Sequence, residues 1–402
     1  MHETDILISG GGVAGLTAAS AFGAAGFRVL IVEPSPPVTD LATPGADLRT
    51  TAFLTPSVKL LQAAGLWERL LPFASALQVM RIVDAGGPLS ETGQPVARMT
   101  RDFVAAEISD QPFGYNLPNW LLRREMVARL SELPNVTFRP GLATTSMTTR
   151  ATEARVTLSD GAQVTARLVI AADGRNSTMR QAAGIGVKTI RYGQKAVVCA
   201  VTHDQPHGNV STEIHRSGGP FTLVPLPDHQ GRPASAVVWM ERAAQALGLA
   251  TLPDAAFQEA LNARSCGVLG PLTLVSGRAT WPIITQWAHR MSGERLALMA
   301  EAAHVVPPIG AQGLNMSLRD LGSLLDLATA SPATLGDAAM LDAYHRARHT
   351  DVTARALGID ALNRASMAEA QPLRNLRAMG LGALHAITPI RRTLMKAGLG
   401  LG

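Results

Sequence analysis

Cysteine is nearly absent from this chain, and its scarcity excludes two kinds of protein. The 402 residues include two cysteines, Cys199 and Cys266, which form neither a CxxC pair nor a cluster with histidine. A disulfide-stapled scaffold and a cysteine-ligated zinc site both need more cysteines at closer spacing. His203, His207 and His215 also lack the spacing of metal ligands. We therefore expect a protein of the reducing cytoplasm that has no metal site.

Long uncharged apolar runs are also missing. None reaches the roughly 18 residues that a membrane-spanning helix needs, and the first residues lack the basic stretch of a secretory signal. The apolar fraction is 47% and the charged fraction 17%, which is typical of a globular protein with a large core. A chain of this length exceeds one ordinary core, so we expect about two or three domains.

Aromatic residues make up only 4% of the chain, which limits the interpretation of its net charge of +5. Residues 341–402 carry nine arginines and lysines against four acids, so the whole excess lies there. Nucleic-acid binding uses aromatic platforms beside basic groups, so we expect no nucleic-acid partner. A surface facing anionic lipid is the better interpretation. An apolar stretch, residues 378–390, either lies in a membrane interface or packs on the body of the protein.

The N-terminal residues carry a glycine-rich motif between a strand and a helix. Gly10, Gly12 and Gly15 follow an apolar strand at GxGxxG spacing, and a second strand ends at Glu33. The first glycine allows a tight turn, the second lets a pyrophosphate approach, and the third packs helix against strand. Glu33 suits a ribose diol. The unit predicts an adenine dinucleotide, and we favour FAD over NAD because it stands at the N-terminus and further flavin-type segments follow.

Two later segments place polar side chains beside predicted helices. Arg49 precedes a helix predicted over residues 56–64 and is placed to meet a phosphate or the flavin edge; a solvated loop arginine is the alternative. Asn119 is the predicted N-cap of a helix over residues 120–133, where side-chain amides also meet cofactors; a plain cap is the alternative.

A third segment follows a strand predicted over residues 162–170. Asp173 and Gly174 form a turn there, and Arg180 stands six residues beyond the glycine. We expect Asp173 to link the flavin to the N-terminus of the next helix, with Arg180 anchoring the segment. An ordinary Asp-Gly turn is the alternative.

The segment over residues 296–320 combines a buried strand, a Pro-Pro corner and a predicted helix over residues 314–328. Free N–H groups at the helix start suit a group that becomes anionic, as the N1–C2=O edge of a reduced flavin does. An ordinary strand–loop–helix corner is the alternative. His304 either relays protons or is a hydrogen-bonded structural residue. The candidate cofactor contacts here are Glu301, Pro308, Gly310, Ala311, Gln312, Gly313, Leu314 and Asn315.

The sequence patterns in the rest of the chain complete the predicted domain organisation. Residues 188–282 alternate between apolar and polar, which predicts an antiparallel sheet that roofs a pocket over the flavin ring, and the chain is helical from about residue 339. The fold class is α/β with mixed α+β character, namely a Rossmann-like FAD-binding domain with an inserted antiparallel-sheet substrate domain and C-terminal helices. We assign residues 1–75, 116–185 and 283–340 to the FAD-binding domain, 76–115 and 186–282 to the sheet domain, and 341–402 to the C-terminal helical segment.

Three of these segments resemble the class A flavoprotein aromatic hydroxylases typified by para-hydroxybenzoate hydroxylase. They are GxGxxG from Gly10, DGxxSxxR from Asp173 to Arg180, and the stretch from Glu301 to Asp320, in that order over most of the chain. Five shorter segments resemble more narrowly the ubiquinone-biosynthesis hydroxylases. They are residues 47–49, 60–67, 81–87, 341–348 and 362–364.

The resemblance implies FAD as cofactor, NAD(P)H as co-substrate, and O2 transferred through a flavin C4a-hydroperoxide to a prenylated phenol or quinone precursor. No protein nucleophile is then required, and His304 and Pro308 are the candidates for catalytic residues. The implied cofactor contacts are Gly10, Gly12, Gly15 and Glu33 for the ADP half, Arg49 and Asn119 for the pyrophosphate and ribityl region, Asp173 and Gly174 for flavin and NAD(P)H approach, Glu301 for the ribityl chain, and residues 308–315 for the isoalloxazine.

The chain departs from the family pattern at two places. The usual Gly-Asp-Ala-Ala-His reads Ala300-Glu301-Ala302-Ala303-His304, and Gly310-Ala311 replaces the more usual Ala-Gly. The altered Glu301 motif leaves open a catalytically silent FAD-binding subunit of a biosynthetic assembly. A second alternative is a soluble aromatic hydroxylase or another FAD reductase of the same fold, in which the C-terminal segment only packs on the protein. We expect a cytoplasmic protein that associates peripherally with the inner face of the membrane or with a multi-enzyme complex.

Overall fold

A computed structural model describes residues 2–87, 96–216, 218–367 and 370–400 of the chain. The helices are α1 (Val13–Ala24), α2 (Thr55–Ala63), α3 (Trp67–Leu70), α4 (Asn119–Ser131), α5 (Thr178–Ala182), α6 (Ala243–Thr251), α7 (Asp254–Ser265), α8 (Gln312–Ala330), α9 (Ala338–Ser366), α10 (Gln371–Ala386) and α11 (Thr388–Leu399). The strands are β1 (His2–Ser9), β2 (Val29–Glu33), β3 (Thr50–Leu54), β4 (Ser75–Leu77), β5 (Val79–Asp84), β6 (Met99–Val104), β7 (Gly114–Pro118), β8 (Val136–Pro140), β9 (Thr144–Thr149), β10 (Ala154–Leu158), β11 (Gln163–Ala171), β12 (Val187–Thr202), β13 (Val210–His215), β14 (Pro220–His229), β15 (Arg232–Arg242), β16 (Thr273–Leu274), β17 (Ala279–Ala288), β18 (Ser292–Gly293), β19 (Leu296–Leu298) and β20 (His304–Val305).

A parallel sheet forms the centre of the first layer, in the strand order β19, β11, β1, β2, β8. The apolar strand β1 is buried on both faces, with Ile6, Leu7 and Ile8 fully buried, as parallel strands require. The carboxyl ends of these strands meet at one edge. Gly10 follows β1 there, and Glu33 ends β2, so the sheet delivers both motif residues to the same place.

A second sheet has the order β20, β17, β12, β15, β14, β13, β5, β6. Its β12, β14 and β15 pair in antiparallel fashion as expected, but β5 and β13 pair in parallel, so the antiparallel expectation is wrong at that pair. The two strands lie far apart in the chain, and no hairpin turn constrains their directions. One face packs an apolar core under α6 and α7 that includes Phe221, Trp239 and Phe257.

The smaller sheet β3–β7–β4 leads into α4, and here a sequence expectation is wrong. Asn119 is not the N-cap of the helix: Pro118 occupies that position, and Asn119 is the first helical residue. Its amide makes tertiary contacts instead. The strand β9 and the helices α6 and α7 were not predicted from the sequence, because their short apolar patterns are weak on their own.

The C-terminal region is helical, as predicted, but residues 378–390 do not form one continuous element. Helix α10 ends at Ala386, Ile387 is extended, and α11 begins with Thr388 and Pro389. Proline lacks the N–H that would continue the hydrogen bonds of α10, and it is tolerated in the first turn of a new helix, which fits a break at this point. Among the described residues, no helix combines the length and apolarity needed to cross a membrane. The mixed α/β fold class is confirmed.

Candidate active site

A cavity of about 670 Å³ lies between the edge of the parallel sheet and the second sheet. This volume is in the range of small-molecule sites, roughly 300–1,000 Å³. The predicted residues that line it are Gly10, Gly12, Glu33, Arg49, Asn119, Asp173, Gly174, Glu301, His304, Pro308, Gly310, Ala311, Gln312, Gly313 and Leu314. The structure therefore brings together segments that lie up to about three hundred residues apart in the sequence.

The glycine-rich loop shows a different constraint at each glycine. A Cβ on Gly15 would lie 1.9 Å from the carbonyl oxygen of Gly10, and one on Gly10 would lie 2.4 Å from that of Ala172. Gly10 also has φ +105°, a backbone conformation that residues other than glycine rarely adopt. A Cβ on Gly12 would meet nothing within 4 Å. Gly12 thus borders open cavity, and Gly15 serves helix packing away from it.

Two helix N-termini face this cavity without a capping side chain. Gly12 is the N-cap of α1 and Ala311 is the N-cap of α8, and neither helix has a side-chain cap hydrogen bond. The first N–H groups of a helix lack partners within it and carry a partial positive charge. Both residues line the cavity, so the site suits a ligand with anionic groups at two places.

Glu33 lies beside the glycine loop. Its carboxylate accepts hydrogen bonds from the backbone N–H groups of Gly11 at 2.6 Å and Ser35 at 3.2 Å. These bonds fix the carboxylate where β2 ends, and Glu33 also lines the cavity. The carboxylate can therefore accept further hydrogen bonds from a diol.

Asp47 links the loop before β3 to helix α4. Its carboxylate accepts hydrogen bonds from Arg49 at 2.8 Å and 2.9 Å, from Asn119 at 3.1 Å and from Arg123 at 3.3 Å. Burial alone would raise the pKa of Asp47, but the hydrogen bonds and charge of Arg49, with Asn119 and Arg123, hold it below its ordinary value. Asp47 and Arg123 line the cavity and were missed from the sequence, although Arg123 follows Asn119 by one helical turn.

Arg49 is held on both sides. Its guanidinium lies over the ring of Trp281, 4.1 Å from the centroid, and pairs with Asp47. Burial would lower the pKa of Arg49, but Asp47 and, to a lesser extent, Glu301 raise it above its ordinary value. The arginine is thus a fixed cation at the cavity wall rather than a solvated loop residue.

Asp173 presents an unpartnered oxygen. Its Oδ2 accepts a hydrogen bond from the N–H of Met179 at 3.2 Å, whereas its buried Oδ1 has no partner among the described residues. Arg180 donates to the carbonyl oxygens of Ala302 at 2.7 Å and Arg175 at 2.9 Å. Arg180 therefore anchors the Asp173 turn to the turn that carries Glu301. The free oxygen in a lined cavity fits a ligand that donates a hydrogen bond.

His304 is held by a buried ion-pair cluster. Its Nε2 lies 2.6 Å from Asp320 Oδ2, and Arg348 Nε lies 2.9 Å from Asp320 Oδ1. The partner carboxylate implies that the ring proton is on Nε2, which leaves Nδ1 as an acceptor without a partner in the described part of the chain. The cluster joins β20, α8 and α9, so His304 has a structural role whatever else it does.

Asn315 does not face the cavity. Its amide donates to the carbonyl oxygens of Ala52 and Ala311, and its Oδ1 accepts from the N–H of Leu54 and the hydroxyl of Ser57. With all of these bonds inside the protein, its side chain ties α8 to β3 and α2. The Asn315 side chain therefore has an internal role and is not among the residues that line the cavity.

The other end of the cavity is mostly apolar. The lining there includes Leu77, Val79 and Met80 from β4 and β5, with Phe113, Val224 and Val238. Polar lining residues not predicted from the sequence are Asn116, Ser211, Glu213 and Thr222. The alternation of Ser211, Glu213 and His215 along β13 was the available signal, but which face they occupy depends on long-range pairing.

The chain matches the FAD binding domain family over residues 3–357. It belongs to the FAD-dependent aromatic hydroxylases. It is 35% identical to the ubiquinone hydroxylase UbiL of Rhodospirillum rubrum over 399 residues, covering 98% of this chain and 89% of that protein. It is 29% identical to the 3-demethoxyubiquinol 3-hydroxylase of Escherichia coli over 404 residues, covering 100% and 99% of the two chains.

Solved structures share the fold of this hydroxylase. The p-nitrophenol 4-monooxygenase PnpA of Pseudomonas putida superposes with a TM-score of 0.80 at 19% identity, covering 99% of both chains. PqsL of Pseudomonas aeruginosa superposes with a TM-score of 0.75 at 20% identity, covering 92% of this chain and 99% of that one.

FAD is the cofactor of this family, and the cavity fits it. The open space at Gly12, the uncapped starts of α1 and α8, and the unpartnered Asp173 Oδ1 are the features that a diphosphate-bridged, hydrogen-bonding ligand needs.

Proposed function

We propose that this hydroxylase adds an oxygen atom to the aromatic ring of a prenylated phenol or quinone precursor in ubiquinone biosynthesis, using NAD(P)H and O2. One observation carries the proposal: the residues that suit FAD and an apolar wall of β4, β5, β14 and β15 line the same cavity. The names of the two relatives, a ubiquinone hydroxylase and a demethoxyubiquinol hydroxylase, support the substrate class.

Bound FAD supplies electron transfer from NAD(P)H and the activation of O2. The chain supplies position and environment. The uncapped start of α8 would hold an anionic edge of the flavin and stabilise its negative charge. The apolar wall excludes water from the oxygen transfer. Pro308 restricts the backbone of a loop that lines the cavity, and His304, with its Nε2 proton directed to Asp320, can hold or pass on a proton at Nδ1.

The soluble-hydroxylase alternative is an aromatic-compound hydroxylase of the same fold in which the C-terminal helices only pack on the protein. The lining residues Leu77, Val79, Phe113 and Val224 favour a greasy substituent on the ring instead. The silent-subunit alternative was motivated by the altered Glu301 motif. Ala300, which replaces the family's glycine, has φ +55°, so the turn keeps a glycine-like conformation and Glu301 still lines the cavity.

We also propose that the protein attaches peripherally to an anionic membrane through α10 and α11. The exposed apolar side chains of the two helices and of the residue that links them are Leu373, Leu376, Met379, Leu384, Ile387, Ile390 and Leu394. Arg392 and Lys396 are exposed on the same pair of helices, and basic side chains attract anionic lipid. The opposite side of α11 packs Met395 and Leu399 into the cluster that contains the cavity residues Leu77 and Phe113. Attachment there would bring the cavity close to a lipid-soluble substrate.

The substrate proposal is tested by the quinone lipids of a strain that lacks this chain. We expect a prenylated phenol with one hydroxyl fewer than the normal intermediate to accumulate, and the full-length gene to restore the normal lipid. If the quinone lipids do not change, the assignment to ubiquinone biosynthesis is wrong, and the soluble-hydroxylase alternative takes its place.

A further inference from the structure

The wall formed by β13 and β14 places a carboxylate in the apolar end of the cavity. Side chains alternate between the faces of a strand. Thr212 and Ile214 are buried in the core of the second sheet, whereas Ser211 and Glu213 line the cavity. Thr222 is paired with Glu213 across the two strands and lines it as well. A carboxylate and two hydroxyls therefore share one wall beside apolar residues.

Glu213 is held by its neighbour on the same face of β13. His215 Nε2 lies 2.6 Å from Glu213 Oε1, and the two side chains are 13% and 16% exposed. No partner of Glu213 Oε2 occurs in the described ranges. The carboxylate is thus fixed through one oxygen, and the other can accept a hydrogen bond from a molecule in the cavity.

Among the described lining residues, the wall of β13 and β14 that carries Glu213 contains no lysine or arginine. The arginines in the described lining are Arg49 and Arg123, and both pair with Asp47. A carboxylated aromatic ring near Glu213 would meet a like charge in surroundings of low polarity, where repulsion is strong. A neutral phenol would instead donate its hydroxyl proton in a hydrogen bond to a charged acceptor, which is stronger than a neutral one.

We propose that Glu213 accepts the hydrogen bond of the substrate's phenolic hydroxyl, and that it selects neutral phenols against aromatic carboxylates. This inference rests on the proposed aromatic hydroxylation and deepens it. A hydrogen bond from the hydroxyl to a carboxylate raises the electron density of the ring, and an electron-rich ring accepts electrophilic oxygen more readily. Glu213 therefore both orients the ring and tunes its reactivity.

The test measures binding to FAD-loaded protein from the change in flavin absorbance. The three probes are 2-prenylphenol, its methyl ether, and 3-prenyl-4-hydroxybenzoate. We expect the wild type to bind the phenol at least about tenfold more tightly than either other probe, which corresponds to ~1.4 kcal/mol. In Glu213→Gln both preferences shrink, and the carboxylated probe gains affinity. The matched control is Glu259→Gln, an exposed charge change on α7 under the opposite face of the sheet.

The outcomes separate this inference from the proposed function. If Glu213→Gln binds FAD normally and keeps the wild-type preferences, the role of Glu213 is overturned and the hydroxylase proposal stands. If the wild type binds none of the three probes, both are overturned. If the variant fails to load FAD, binding to the wild type still tests the proposal. Equal affinity of the wild type for 2-prenylphenol and its methyl ether would contradict an acceptor for the phenolic hydroxyl.

Discussion

At the scale of single residues, the glycines of the N-terminal loop separate stability from cofactor binding. Gly15 has no room for a methyl group beside the carbonyl of Gly10, whereas Gly12 borders open cavity. We expect Gly15→Ala to lower the free energy of unfolding of the apoprotein by about 1–3 kcal/mol through overpacking. Gly12→Ala should change it by less than about 0.5 kcal/mol.

For FAD binding we expect the opposite order, with Gly12→Ala weakening the affinity more than Gly15→Ala. A methyl group at Gly12 keeps a diphosphate from reaching the start of α1, so the dissociation constant of FAD should rise at least about tenfold, or ~1.4 kcal/mol. Chemical denaturation of the apoprotein and fluorescence titration with FAD measure the two effects. Wild-type FAD affinity in Gly12→Ala would contradict the placement of the diphosphate.

Ala300 bears a backbone conformation that suits glycine. Its φ of +55° costs an alanine about 1 kcal/mol relative to the usual helical region. Replacing Ala300 with glycine removes this cost, but glycine also makes the unfolded chain more flexible, which offsets part of the gain. We therefore expect Ala300→Gly to raise the free energy of unfolding by about 0.5 kcal/mol. The matched control is Ala302→Gly in the same turn, where φ is not positive and the change should destabilise. Equal destabilisation by both variants would contradict this account.

Asp47 predicts an acid-sensitive component of stability. Its pKa is lowered in the folded protein, so its contribution is complete above the ordinary value of about 3.9 and is lost as pH falls through the folded value. Asp47→Asn should therefore cost about 1–3 kcal/mol at neutral pH, and its difference from the wild type should shrink below about pH 4. Denaturation at several pH values measures this, with exposed Asp228→Asn as control. A difference that is independent of pH would show that the Asp47 ion pairs are not its cause.

At the scale of elements, the sequence predicted those helices and strands that depend on local residue patterns. The first strand, α1 and the start of β2 follow from an apolar run and glycine spacing, and the structure places α1 at Val13–Ala24, beginning within the glycine-rich motif. The parallel pairing of β5 with β13 joins strands more than a hundred residues apart, and no turn sequence connects them directly to indicate that they pair. The same pairing places β13, with Glu213, at the cavity wall, so a local sequence pattern could not predict this carboxylate as a lining residue.

The amphipathic pair α10 and α11 predicts a measurable membrane affinity. Leu376 and Met379 are 64% and 72% exposed, so replacing both with glutamate removes apolar contact and adds repulsion from anionic lipid. We expect the double variant to bind vesicles of anionic phospholipid at least about tenfold more weakly than the wild type. Co-sedimentation with vesicles measures this, and Leu247→Glu on α6 is the control for a glutamate placed at an exposed leucine elsewhere. Equal sedimentation of all three proteins would show that this helix pair packs against protein or water instead.

At the scale of the whole molecule, separated segments converge on one cavity. The carboxyl edge of the parallel sheet, the Asp47 cluster, the Asp173 turn and the start of α8 supply its polar end, and the second sheet supplies its apolar end. The motifs were readable from the sequence because each is a short strand–turn–helix unit. The Asp47 contacts, the internal role of Asn315 and the buried cluster of His304, Asp320 and Arg348 depend on tertiary packing, so no local pattern could predict them.

The most direct test of the central claim follows oxygen from gas to product. Purified FAD-loaded protein is supplied with NADH or NADPH, 2-prenylphenol and isotopically heavy O2, and the product is analysed by mass spectrometry. We predict a hydroxylated prenylphenol that carries one heavy oxygen atom, formed only when reduced nicotinamide is present. Oxidation of NAD(P)H without a labelled aromatic product, or a product whose new oxygen comes from water, would contradict the assignment as a monooxygenase of prenylated phenols.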